Sequence, residues 1–485
     1  MDVPLIILDR EVARAAGDAA RARARLARGE DLEAPSPLAV QRHVSSRATW
    51  LELAESKDPL AAPLRTWVGA LTLERVLWPD LARLAGAWRA TSIPVEVSGI
   101  VPYLASPHDL LVRVLAEPQP ARRRVLADVL ARGAVPVADA ARMLAERRAE
   151  AMRLLGPGAD AAAIPIEAER VAPEKREPEK QGEGSDRANG AGRMELARPA
   201  SDGAGAITSD PRAALRSIAE RVLAETLAFM PAEAGAWGDA IALAIGRSSG
   251  EGWPARLNVR WLFDLFQRTS LVDGLRLEVG SLPQALGAAS FARALAAFGG
   301  ALADVDGPRS GPFVMARAPF DLRRARRAAL FGSLAADPVF GARALGLGRG
   351  RARDQARDVA RALLVSLRLD AARVLLGDVL LLPGRQGETR FEEITFAALS
   401  APIPPALAGV VPRLGPDDPS RLVGALLSMS DRRSLIERFD EDWFASPHAA
   451  LAIREEDAVP ASPTVTVAAV SAGVGELVRA LHDLG

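Results

Sequence analysis

With 61 Lys and Arg against 61 Asp and Glu over 485 residues, the chain has no net charge to draw it to nucleic acid or to a membrane surface. It contains no cysteine, which excludes disulfides, thiolate catalysis, Cys-ligated zinc and iron–sulfur clusters. The length suits two or three domains. Alanine makes up roughly a fifth of the chain and has the highest intrinsic helix propensity, with Arg and Leu close behind.

The opening stretch, MDVPLIILDREVARAAGD, has no basic n-region, and its apolar run is short for a signal peptide, so the expected location is cytoplasmic. No run of about eighteen apolar residues appears, so no membrane span is expected. Residues 1–156 read as a first helical unit. Asp58-Pro59 and Ser106-Pro107 each place a capping oxygen before a proline, which signals a helix start. Ile93–Ser98 has strand character. From 157 to 209 apolar periodicity vanishes. APEKREPEKQGEGSDRANGAG is rich in Pro, Gly and charge and reads as a disordered linker.

Residues 210–485 read as a second helical domain. Cap-proline pairs recur at Asp210-Pro211, Asp337-Pro338, Asp418-Pro419 and Ser446-Pro447. Leu215, Ile218, Val222 and Phe229 follow helical spacing, as do Leu363, Leu367, Ala371 and Val374. GWPARLNVRWLFDLF, 252–266, gathers aromatics in an aromatic-poor chain. It reads as core packing, with Trp253 and Trp261 as candidate interface aromatics. FDLRRARRAALF, 320–331, and GLGRGRARDQARDVAR, 346–361, carry the main basic excess. Their candidate anion or partner contacts are Arg323, Arg324, Arg326, Arg327, Arg353, Arg357 and Arg361. The second motif has neither the preceding strand nor the G-K-[ST] end of a phosphate loop. TVTVAAV, 464–470, alternates like a short strand. The fold class expected is all-α: two helical units, a linker, and at most one or two short strands.

FDEDWFASPHAAL, 439–451, looks most like chemistry. Adjacent helical residues point about 100° apart, so Asp440, Glu441 and Asp442 cannot all converge on one ion. The stretch reads instead as a joint between helices: Trp443 and Phe444 anchor it in the core, and Ser446 caps the next helix. The histidines His43, His108, His448 and His482 are scattered, with no helical zinc pair, and no G-x-S-x-G elbow occurs. The sequence calls for no metal and no cofactor.

PLRTWVGALTLERVLW at 63–78, GAASFARALAAFG at 287–299 and ERFDEDWFASPHAAL at 437–451 resemble the helical zinc metallopeptidases of the oligoendopeptidase F and thimet oligopeptidase class. The last segment is similar to that class's D-W-x-x-N-P pattern, with Ser446 in the place of Asn. The class works through H-E-x-x-H, and this chain contains no His-Glu dipeptide. The resemblance therefore implies a degenerate helical shell without zinc or peptidase activity, and no functional residue carries over. The function expected is that of a non-catalytic interaction or scaffold protein binding a peptide or protein partner. The alternatives are an enzyme with a non-metal site, or an anion or nucleic-acid binder using arginines between 323 and 361.

Overall fold

The computed structural model describes residues 4–30, 32–96, 101–156, 166–167, 210–232, 235–245, 253, 259–269, 271–273, 275, 287–306, 311–457 and 465–484. The first helices are α1 (Leu5–Ala27), α2 (Arg47–Glu55), α3 (Ala61–Ala90), α4 (Pro107–Ala116), α5 (Pro120–Gly133) and α6 (Val135–Leu155). Next come α7 (Pro211–Glu225), α8 (Trp237–Ile245), α9 (Val259–Phe266), α10 (Ala288–Asp306), α11 (Phe313–Ala316) and α12 (Leu322–Ser333). The chain closes with α13 (Pro338–Ala344), α14 (Arg349–Leu376), α15 (Gly384–Leu399), α16 (Asp418–Phe439), α17 (Pro447–Asp457) and α18 (Val467–Leu484). The fold is all-α.

Among the described residues, strands are confined to two small pairs. β1 (Ile93–Val95) and β2 (Tyr103–Ala105) run antiparallel, Ile93 opposite Ala105. β3 (Ile166–Glu167) and β4 (Val465–Thr466) run parallel. The strand expected over 464–470 is cut to two residues because α18 starts at Val467. Among the described residues, four short strands therefore stand where one or two were expected. The linker expected over 157–209 lies outside the described residues except for Ile166 and Glu167, which take part in this pairing.

Most of the cap-proline signals work as read. Ser106 accepts from the Asp109 N–H, Asp210 from that of Arg212, and Asp337 from that of Val339. Asp418 differs: Asp417 is the N-cap, while the Asp418 carboxylate turns back to accept from the Gly415 N–H at 2.7 Å. The joint at 439–451 has the expected form. Trp443 and Phe444 are buried in a short 3-10 turn, and α17 starts at Pro447. Trp443 meets Phe331 edge-on at 6.0 Å.

The helices before 157 and after 209 share one core. Val95, Leu110, Val114 and Leu130 join Ile218, Trp237, Leu426 and Val474 in a continuous apolar cluster. A polar clasp reinforces it: Arg123 and Arg124 of α5 both reach the buried Asp239 of α8, at 2.8 and 2.9 Å. A second core lies wholly in the C-terminal half, around Phe266, Phe298 and Phe331. By length and composition the Ala288–Val305 stretch of α10 could cross a membrane, a run not singled out from the sequence. Its Phe291, Leu295, Phe298 and Leu302 are buried in that second core.

Candidate ligand cleft

The arginines singled out in the sequence do not form one patch. Those on α12 are engaged by neighbouring oxygens. Arg323 donates to the Ala316 carbonyl, Arg324 pairs with Asp304 at 2.8 Å, and Arg326 pairs with Asp431 and Glu456. Arg327 is 2 % exposed and meets Glu456 at 2.8 Å. Burial pushes the Glu456 carboxyl up, but Arg327 and Arg326 outweigh it and hold the group below the usual carboxylate value. This cluster ties α12 to α16 and α17. Arg353, Arg357 and Arg361 lie exposed along α14, the last two within 3.9 Å of Asp354 and Asp358 on their own helix. The candidate aromatics Trp253 and Trp261 are half-buried against Phe291, at ring distances of 5.1 and 6.0 Å. They belong to the second core.

A feature the sequence did not single out is a cleft of about 1730 Å³ between the two halves of the chain. One stripe of α3 forms its floor. Trp67, Leu71, Glu74, Leu77, Leu81 and Leu84 recur at helical spacing, so they share a face. α1 supplies one wall through Ala13, Ala16, Gly17 and Ala20, whose small side chains leave the volume open. α6 supplies another through Ala145, Arg148, Ala149 and Met152. The far side comes from the segment around α11 and α12, the end of α14, and the 409–421 connection.

One end of the cleft is tied down across the chain. Asp9 of α1 accepts from the Phe313 and Val314 N–H groups, both at 2.9 Å, and so caps α11 from 304 residues away. The Trp67 indole N–H donates to the Arg317 carbonyl at 2.7 Å, and its ring meets Phe313. At the other end Asp370 receives Arg373 and, at 3.0 Å, Arg421, while Arg373 also donates to the Arg413 carbonyl at 3.2 Å.

Several of the cleft's carboxyls are shifted upward. Burial raises Glu74 against the pull of Arg23, and raises Asp304 against Arg324 and Arg317. Asp418 reaches about 6, again chiefly through burial. Among the described residues, no group of three or more His, Asp or Glu side chains converges as a metal site. His43 meets Glu11 at 3.0 Å, while His108 and His482 lie edge-on to Trp88 and Phe229. No family model, curated protein or solved structure matches the chain.

The cleft was hidden in the sequence because its walls are alanine faces, which look like generic helix. The sole signal was the stripe in PLRTWVGALTLERVLW, where Glu74 interrupts an apolar face.

Proposed function

We propose that this is a non-catalytic binding protein that takes a peptide segment of a partner in the cleft between α1, α3 and α6 and the C-terminal half. The observation that carries the reading is the size and lining of the space. At about 1730 Å³ it exceeds the roughly 300–1,000 Å³ typical of small-molecule sites, and its floor is apolar. An amphipathic segment laid in a helical groove makes contacts of this kind. On this reading the resemblance to the helical metallopeptidases reduces to a helical shell around a peptide-sized groove.

The test is selection from a displayed library of random peptides against the full chain, repeated on variants with a filled cleft. Ala16→Trp and Ala149→Trp each put a large side chain into the open volume from opposite walls. The expected result is that selected peptides lose binding to both variants while the melting temperature stays near that of the parent. Recovering no peptide, or peptides that hold equally to the filled variants, overturns the reading.

A further inference from the structure

Ten arginines but only seven carboxylate residues line the cleft, in a chain whose formal net charge is zero. Most of these arginines are engaged internally: Arg23 by Glu74, Arg216 by Asp378, Arg324 by Asp304 and Arg421 by Asp370. Arg148, Arg153 and Arg413 are different. Among the described residues, their guanidinium groups have no hydrogen bond or ion pair.

Arg148 is half-buried on the α6 wall, one helical turn from Met152, which also lines the cleft. Arg413 keeps an open surface, yet the surrounding walls displace part of its hydration and lower its pKa from the usual guanidinium value. A partly desolvated cation without a counter-charge is unfavourable, and an incoming carboxylate would relieve it with charge-assisted hydrogen bonds.

We infer that the occupant of the cleft is an acidic amphipathic peptide segment, its apolar side on the α3 floor and its Asp or Glu carboxylates on Arg148 and Arg413. This rests on the peptide-binding reading above and adds the chemistry of the partner. Arg148 and Arg413 are then the specificity-determining residues, and Arg153 adds positive charge at the rim.

The experiment uses the full chain and three labelled amphipathic peptides of equal length. All share one Leu and Ala face and carry Glu, Gln or Lys on the other. A single-stranded oligonucleotide is the fourth probe, and binding is read by fluorescence anisotropy. The Glu peptide should bind about tenfold tighter than the Gln peptide, a difference of about 1.4 kcal/mol. Its affinity should fall as salt rises, because the contacts are electrostatic. The Arg148→Glu, Arg413→Glu double variant should lose about tenfold or more for the Glu peptide alone. If that variant does not fold, Arg148→Gln with Arg413→Gln should give a smaller loss in the same direction. Equal binding of Gln and Glu peptides, or a Glu peptide indifferent to both double variants, overturns the charge assignment and leaves the cleft reading standing. Tighter binding of the Lys peptide or of the oligonucleotide also overturns it. No binding by any peptide removes both readings.

Discussion

Asp418 shows how a buried carboxylate at the edge of the cleft links proton binding to folding. It is 4 % exposed, and burial drives its pKa up to about 6 from the ordinary 3.8. The Gly415 N–H, Arg373 and Arg421 pull the other way, and Asp370 adds to the rise. Between those two values the folded chain keeps a proton that the unfolded chain has released. Stability from this residue is therefore highest below about pH 4 and falls as pH climbs through about 6. At about 1.4 kcal/mol per pH unit, the gap from 3.8 to about 6 amounts to roughly 3 kcal/mol. Asp418→Asn keeps an acceptor for the Gly415 N–H without the charge. It should be the more stable protein at neutral pH, with its advantage over the parent shrinking to nothing at about pH 4. Urea midpoints for the two proteins across that window measure the difference directly. An Asn variant less stable than the parent at neutral pH would show that Arg373 and Arg421 outweigh burial. The sequence marked Asp418 only as a cap before proline. The fold moved the cap to Asp417, and the carboxylate's shift depends on its burial and on the charge of Asp370, a helix away.

At the scale of elements, α10, α12, α16 and α18 lie side by side because glycines let their backbones close up. A Cβ on Gly299 of α10 would sit 2.3 Å from the Arg327 carbonyl oxygen of α12. One on Gly424 of α16 would come within 2.7 Å of the Arg326 backbone nitrogen. One on Gly473 of α18 would sit 2.2 Å from the Leu426 carbonyl oxygen of α16. Backbone cannot yield as a flexible side chain can, so Gly473→Ala should destabilise by about 1–3 kcal/mol through overpacking. Helix propensity alone predicts the reverse, because Ala is favoured over Gly by up to about 1 kcal/mol in a helix interior. Gly475, two residues on in the same helix, faces open space. Gly475→Ala should therefore stabilise by up to about 1 kcal/mol. Thermal or chemical denaturation of the pair separates packing from propensity, and two changes of the same sign would refute the close approach. Helix identity was legible elsewhere in the chain, from the caps Ser106, Asp210 and Asp337 of α4, α7 and α13 and from the periodicity of α7 and α14. The row was not, because a glycine that admits a neighbouring helix has the same letter as Gly475, which admits nothing.

Across the whole molecule, the flanks of the boundary read from composition at 157–209 both contribute to one apolar cluster. The shift to Pro, Gly and charge reports that the segment has little apolar surface to bury, which says nothing about whether its flanks bury theirs against each other. They do, through the shared cluster of Leu110, Leu130, Ile218 and Trp237 and the clasp of Arg123 and Arg124 on Asp239. Asp9 adds a third tie at the cleft, holding two α11 N–H groups with a side chain that is 4 % exposed. Neither the clasp nor the Asp9 tie could be read from the sequence, because their partners lie more than a hundred residues apart. Residues 1–156 and 210–485, expressed as separate chains in one cell, should then copurify and unfold in a single transition. Each piece alone would expose its side of the common core. Asp9→Ala strips the carboxylate from two backbone donors, one of them buried, and should cost about 1–3 kcal/mol. In the split protein that loss falls on association, so the copurified yield should drop while the helical content of the isolated pieces is unchanged. In the intact chain the same substitution should lower the melting temperature without splitting the transition, because the shared cluster still joins the halves. Two well-separated transitions in the intact parent, or two pieces that fold independently and never associate, would mean that the halves are separate domains and that the cleft between them has no fixed shape to offer a ligand.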